Sequence, residues 1–156
     1  MVSSTQQGKN RIMRTYACAH RQAMLTLFND IPLRTPSQHY ILFRIEEGSA
    51  SDSLPSQKEL AQEMQLTPAT VTATLSYMEK LSLIRRETDR GDMRINRIRI
   101  TDKGIALADE LRHRMAALDE LMFDGFSAEE TEELGRYMHR LADNLSRVES
   151  ILKEEK

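Results

Sequence analysis

Apolar residues recur at two different periods along this chain, and each period marks a different kind of element. Val71, Leu75 and Met78 follow i, i+4, i+7 spacing, which gathers them on one face of a helix. Leu134, Met138, Leu141, Leu145, Val148 and Leu152 step by fours and threes in alternation, as do Ala108, Leu111, Met115, Leu118 and Met122. Heptad stripes of this kind ask for partner helices, in the same chain or in a second copy. The stretch "RINRIRIT" (94–101) alternates instead, with Asn96, Ile98 and Ile100 on one side and Arg97 and Arg99 on the other. Together with "LSLIRRET" (81–88) and the turn "DRGD" around Gly91, it reads as a β-hairpin.

Capping chemistry sets the helix boundaries. "TPSQ" (Thr35, Gln38), "SQKE" (Ser56, Glu59), "TPAT" (Thr67) and "SAEE" (Ser127, Glu130) each open with a hydroxyl that can accept from an unpaired backbone N–H. In three of them a Gln or Glu three places on can close a capping box. Pro36 and Pro68 fall at the first helical position, where a missing N–H costs nothing. Helices are therefore predicted to begin near 36, 56, 68 and 128, with a fifth start at Thr101–Asp102 and a first helix over about 9–29.

The helix beginning at Pro68 is unusual in carrying Thr70, Thr72 and Thr74 after the cap Thr67, since threonine is a below-average helix former. Opposite its apolar stripe lie Ala69, Thr70, Ala73, Ser76 and Tyr77, with Thr72 at the flank. That face is small, hydroxylated and uncharged, and it suits entry into a narrow space lined by hydrogen-bonding edges. Thr67 reads as the cap and Thr74 as a border of the core. The preceding helix, a short turn and this one form a helix-turn-helix, and the hairpin that follows makes it winged.

Charge sharpens this picture. The chain of 156 residues carries a net charge of −2, but residues 80–99 hold seven bases and three acids while residues 102–156 hold fourteen acids and eight bases. One concentrated basic segment in a near-neutral chain marks a local site for something anionic. No Gly-rich phosphate loop, nucleophile motif or metal-ligand cluster of standard spacing supports an enzyme, and no cofactor motif is read. A single cysteine excludes an internal disulfide; with no signal-peptide core and no long apolar run, a cytoplasmic protein is expected.

The motifs Met78–Glu79, "LSLIRR", Asp92-Met93-Arg94 and "ITDKG", with "PLRTPSQHYIL" upstream, resemble those of the multiple-antibiotic-resistance regulator (MarR) family of bacterial transcription factors. The resemblance covers roughly residues 10–150. It implies a mainly α fold with a small β-hairpin wing: a flexible start (1–8), a first helix for dimerisation (9–32), a winged helix-turn-helix lobe (33–101) and long dimerisation helices (102–156). It implies a homodimeric regulator of double-stranded DNA, a repressor on a pseudopalindromic operator with half-sites about 10 bp apart. Small-molecule control is implied as well. Three departures stand out: Ser82 where glycine is usual, Met93 for a common wing arginine, and Ala73 for a frequent recognition-helix arginine. Sequence choice is then expected to rest on threonine contacts, thymine methyls and DNA shape.

The residues expected at DNA are Ser56, Gln57, Thr67, Pro68, Ala69, Thr70, Thr72, Ala73, Ser76 and Tyr77, with Arg90, Arg94 and Arg97 from the wing. Arg86 and Asp92 are expected to brace the wing, and Leu134, Met138, Leu141, Leu145, Val148 and Leu152 to form the dimer seam. Tyr16, His20, Met24, Tyr40, Phe43 and Met115 are expected to line an effector pocket, though each reads equally well as core. Cys18 reads first as a small core residue and second as a redox sensor of the kind some family members carry. His39, Asp109 and His113 resemble a zinc-sensing arrangement in part, but unrelated polar residues on amphipathic helices are the simpler reading, and no metal is expected. The alternative to DNA regulation is a winged-helix module whose basic wing binds an acidic protein.

Overall fold

The computed structural model describes residues 4–51, 53–88 and 96–148. Its elements run α1 (Ser4–Leu27), α2 (Pro36–Ala50), α3 (Gln57–Glu63), α4 (Pro68–Lys80), β1 (Ile84–Thr88), β2 (Asn96–Ile100), α5 (Asp102–Met122) and α6 (Ala128–Ser146). The sequence-predicted starts fall where the caps put them. Thr35, Ser56 and Ser127 each close a complete capping box, and the Thr67 hydroxyl accepts from the Thr70 N–H. The first helix starts earlier than the pattern indicated, at Ser4.

Two compact units divide the chain, residues 1–116 and 117–156, and α5 runs through the division. The first holds the core: Ile41, Leu42 and Ile45 of α2, Leu60 of α3, Val71, Leu75 and Met78 of α4, the hairpin's Ile84, Ile98 and Ile100, and Ala108 and Leu111 of α5. The front of the α5 stripe is therefore occupied inside its own lobe rather than kept for a partner helix. In the second unit α6 buries none of its residues.

β1 and β2 pair antiparallel with Ile84 opposite Ile100, Arg86 opposite Ile98 and Glu87 opposite Arg97. The alternation read from the sequence holds, since Ile98 and Ile100 are buried while Arg97 and Arg99 are half-buried. A further bridge joins Arg97 to Ser56, and the Ile98 N–H donates to the Pro55 carbonyl at 3.2 Å. The chain before α3 thus covers the outer edge of β2, which a bare edge strand would leave open to other chains.

Both α3 and α4 end in the same way. The Gln65 N–H meets the Gln62 carbonyl and the Leu66 N–H the Ala61 carbonyl; the Ser82 N–H meets Glu79 and the Leu83 N–H meets Met78. These are Schellman closures, which need a left-handed residue after the cap. Gln65 (φ 51°) and Ser82 (φ 59°) supply it without being glycine. The departure at Ser82 thus falls where glycine carries no steric penalty and any other L-residue does.

Candidate nucleic-acid interface

The outer surface of α4 is a patch of small side chains. Pro68, Ala69, Thr70, Thr72 and Ala73 are all exposed, Ser76 is half-buried, and Val71, Leu75 and Met78 hold the opposite face in the core. Proline fixes the first turn, the threonine cap meets its donors, and a stripe of three apolar residues anchors the helix. Thr74 is buried, as its lean toward the core predicted. The Thr70 hydroxyl lies 2.8 Å from that of Thr67, at the exposed end of the helix.

Several side chains placed on this face from the sequence are committed elsewhere. The Thr72 hydroxyl donates to the Pro68 carbonyl at 2.7 Å and accepts from the Gln57 amide, so it ties α3 to α4. A hydroxyl has one proton to give, and this one is spent within the helix. What Thr72 can still offer is its methyl and one lone pair. Tyr77 is 40% exposed, yet its hydroxyl donates to the Pro32 carbonyl at 3.1 Å. Ser56 caps α3 and accepts from the Glu59 N–H.

The wing root is also more self-engaged than its charge implied. Arg97 does not simply project outward: its Nη1 donates to the Leu54 carbonyl at 3.2 Å and to Glu59 Oε2 at 3.1 Å. Arg99 and Arg85 both reach Glu87, whose carboxyl they hold below the usual range, Arg99 most strongly. Arg44 pairs with Glu63. A cleft of about 590 Å³ opens beside the hairpin, lined in part by Arg44, Arg97, Arg99, Glu59, Glu63 and Glu87. Arg86 donates from Nε to Glu79 at 3.2 Å. Its expected partner Asp92, and the tip arginines Arg90 and Arg94, lie outside the described residues.

The expected effector residues are scattered. Tyr16 stacks on His20 on the exposed side of α1, Tyr40 and Met115 are exposed, and Met24 and Phe43 pack against the core. Arg112 covers the Phe43 ring at 5.3 Å and pairs with Glu46 and Asp109. Neither the cleft above nor a second of about 450 Å³ is lined by any of the six. Cys18 is exposed and not a core residue: residues 11–19 are exposed on every side of α1, so none of the described residues packs on that part of the helix. His39 is 4% exposed, its Nε2 is 2.8 Å from the Leu33 carbonyl, and its ring lies against Phe28. Among the described residues no three His, Cys, Asp or Glu come together as a metal set, and no helix is long and apolar enough to cross a membrane.

Arg114 was missed from the sequence because, beside a local pair with Glu110, its partners lie more than 80 positions away. It donates to the Leu27 carbonyl at 2.6 Å and forms a two-pronged pair with Asp30, so α5 grips the loop that ends α1. Hydrogen bonding to Arg114 pulls the Asp30 carboxyl down from 3.8 to about 2. Because the folded value is depressed, the stabilisation is present above the unfolded value and fades as pH falls from about 4 toward 2. In thermal melts across that window the wild type should lose stability more steeply than Asp30→Asn. Equal slopes would remove this pair as an acid-sensitive contact.

A model of the MarR family matches residues 34–95, which span α2 to the wing. A solved mutant of MepR from S. aureus aligns with TM-score 0.72 at 22% identity, covering 87% of this chain and 97% of that one. The transcriptional regulator SlyA gives 0.68 at 22%, covering 91% and 96%. A complex of S. aureus MepR with DNA gives 0.67 at 21%, covering 87% and 98%, and the same protein is also solved bound to ethidium bromide, at 0.64 and 21%, covering 87% and 95%. At these identities the structural likeness is one of fold, and it carries the winged helix-turn-helix with its flanking helices. The family is one of regulators and not of enzymes. The motif-bearing segment matches the MarR family model, and the fold around it is shared with solved MarR-family regulators.

Proposed function

We propose that this protein is a MarR-family transcriptional regulator that binds double-stranded DNA sequence-specifically as a homodimer, acting as a repressor in the cytoplasm on a pseudopalindromic operator, with affinity tuned by a small molecule. The observation that carries the reading is the exposed, uncharged face of α4: Ala69, Thr70 and Ala73 stand in solvent where a surface helix ordinarily carries Lys and Glu. Small side chains let a helix backbone approach the major-groove floor, and short hydroxyls then reach base edges or phosphates. Arg90 and Arg94 of the hairpin supply the phosphate and minor-groove contacts. The DNA complex and the ethidium complex of S. aureus MepR support duplex binding and effector control by likeness of fold.

The exposed stripe of Met138, Leu141, Leu145 and Val148, with Leu134 half-buried, supports the second copy. Leu152, the last member of that seam, lies outside the described residues. A two-fold dimer then presents two α4 helices to successive major grooves.

Selection of bound sites from random duplexes tests the reading, and Thr70→Val tests its mechanism. Valine keeps shape and branching but deletes the hydroxyl, so the fold should survive. Affinity for the selected site should fall by roughly 1–3 kcal/mol with little change on scrambled DNA. An unchanged ratio of specific to scrambled binding would end the hydroxyl-reading account.

A further inference from the structure

We propose that Glu59 and Arg97 form a clasp that sets the wing against the helix-turn-helix, so that Arg97 serves DNA binding by positioning rather than by touching DNA. The inference rests on the DNA-binding reading above. One carboxylate oxygen joins two elements: Glu59 Oε2 accepts the Ser56 N–H at 2.6 Å, closing the α3 capping box, and accepts Arg97 Nη1 at 3.1 Å. The same guanidinium nitrogen reaches the Leu54 carbonyl, and the Ile98 N–H reaches the Pro55 carbonyl. β2 is thereby sewn to the segment that opens α3, and α3 in turn holds α4 through Gln57 and Thr72. The Arg97 side chain is 28% exposed. The cap, with the nearby Arg97 and Arg44 charges, keeps the Glu59 carboxyl below its ordinary range and so ionised at neutral pH.

A negative charge at a DNA-facing lobe lowers affinity through space, so deleting it should help binding if charge alone mattered. The clasp demands the opposite sign. Glu59→Gln keeps an acceptor for the Ser56 N–H, yet removes the charge that holds Arg97. It should weaken binding to the selected duplex by roughly three- to fivefold, the scale of an exposed ion pair. Arg97→Gln should weaken it by a similar factor, and the double variant should be no worse than Arg97→Gln alone.

Binding is measured by titration of the full chain with that duplex, beside hydrogen exchange of the Ile98 amide without DNA. Faster exchange in both single variants is expected. If Glu59→Gln tightens binding or leaves it unchanged, or if the two losses add, Arg97 acts on the phosphates directly and the clasp is overturned. If the wild type binds no duplex, the DNA reading fails on its own. The exchange rate then decides the clasp: faster exchange sustains it and unchanged exchange removes it.

Discussion

Replacing Leu141 and Leu145 together with Asp should convert the protein to a monomer and abolish tight operator binding in the same step. Leu141 is 44% exposed and Leu145 69% exposed on a helix that buries none of its residues, so neither substitution opens a cavity in the chain's own core. Burying a leucine fully is worth about 1.5–3 kcal/mol, and a two-fold interface counts each position twice. Since each is already partly covered in the single chain, the four leucines carry on the order of 3–7 kcal/mol, and four buried carboxylates would add a desolvation penalty on top. Light scattering should report half the wild-type mass while the circular dichroism spectrum keeps its helical content. A double variant that remains dimeric would remove this stripe as the interface. Binding to half-site duplexes should persist weakly, because each α4 surface is untouched.

What the sequence made legible was local in character. A cap and its acceptor sit three residues apart, so the boundaries at Pro36, Gln57, Pro68 and Ala128 could be read from short strings. The hairpin followed from period-two alternation, and its register put Ile98 and Ile100 inward as expected. The site was legible to the extent that it follows from the α4 wheel. What escaped was every assignment decided by a distant partner. Arg97 looked like a free wing cation because Glu59 lies 38 positions back, and Tyr77 looked like an outer-face aromatic because Pro32 lies 45 positions back. The tie from Thr72 to Gln57 was hidden over a shorter span, since that bond needs the angle between α3 and α4. Cys18 was assigned to the core from its apolar neighbours, but no other described element of the chain covers α1 over residues 11–19, which composition does not reveal. Amphipathic pattern locates a face; only the tertiary fold says which polar groups on that face are already spoken for.

Gly104→Ala should be the most damaging single-methyl change in the winged-helix lobe, against what helix propensity alone predicts. In an exposed helix interior, Ala in place of Gly gains about 1 kcal/mol. Gly135 of α6 is half-buried, yet an added Cβ there would meet nothing within 4 Å, so Gly135→Ala should stabilise the chain by up to about that amount. Gly104 is buried in the first turn of α5. A Cβ there would fall on the Leu83 carbonyl oxygen, closer than any van der Waals contact allows, and 2.6 Å from Ile100 Cγ1. The carbonyl cannot yield easily. Leu83 O already accepts the Thr101 N–H at 3.0 Å, the Thr101 hydroxyl donates to the adjoining Ser82 carbonyl at 2.7 Å, and Lys103 holds the Leu81 carbonyl at 2.8 Å. These bonds fix the turn between α4 and β1, which is why the glycine of "ITDKG" closes the motif. Overpacking of this kind costs about 1–3 kcal/mol, and rigid backbone on one side puts the clash at the upper end, so the packing term outweighs the propensity gain. A net loss of about 1–2 kcal/mol is expected in urea unfolding, from the difference of those two terms. Weaker DNA binding should accompany it, since α4 ends at the displaced turn. If Gly104→Ala melts at or above the wild type, the close approach of α5 to Leu83 is not what the glycine serves.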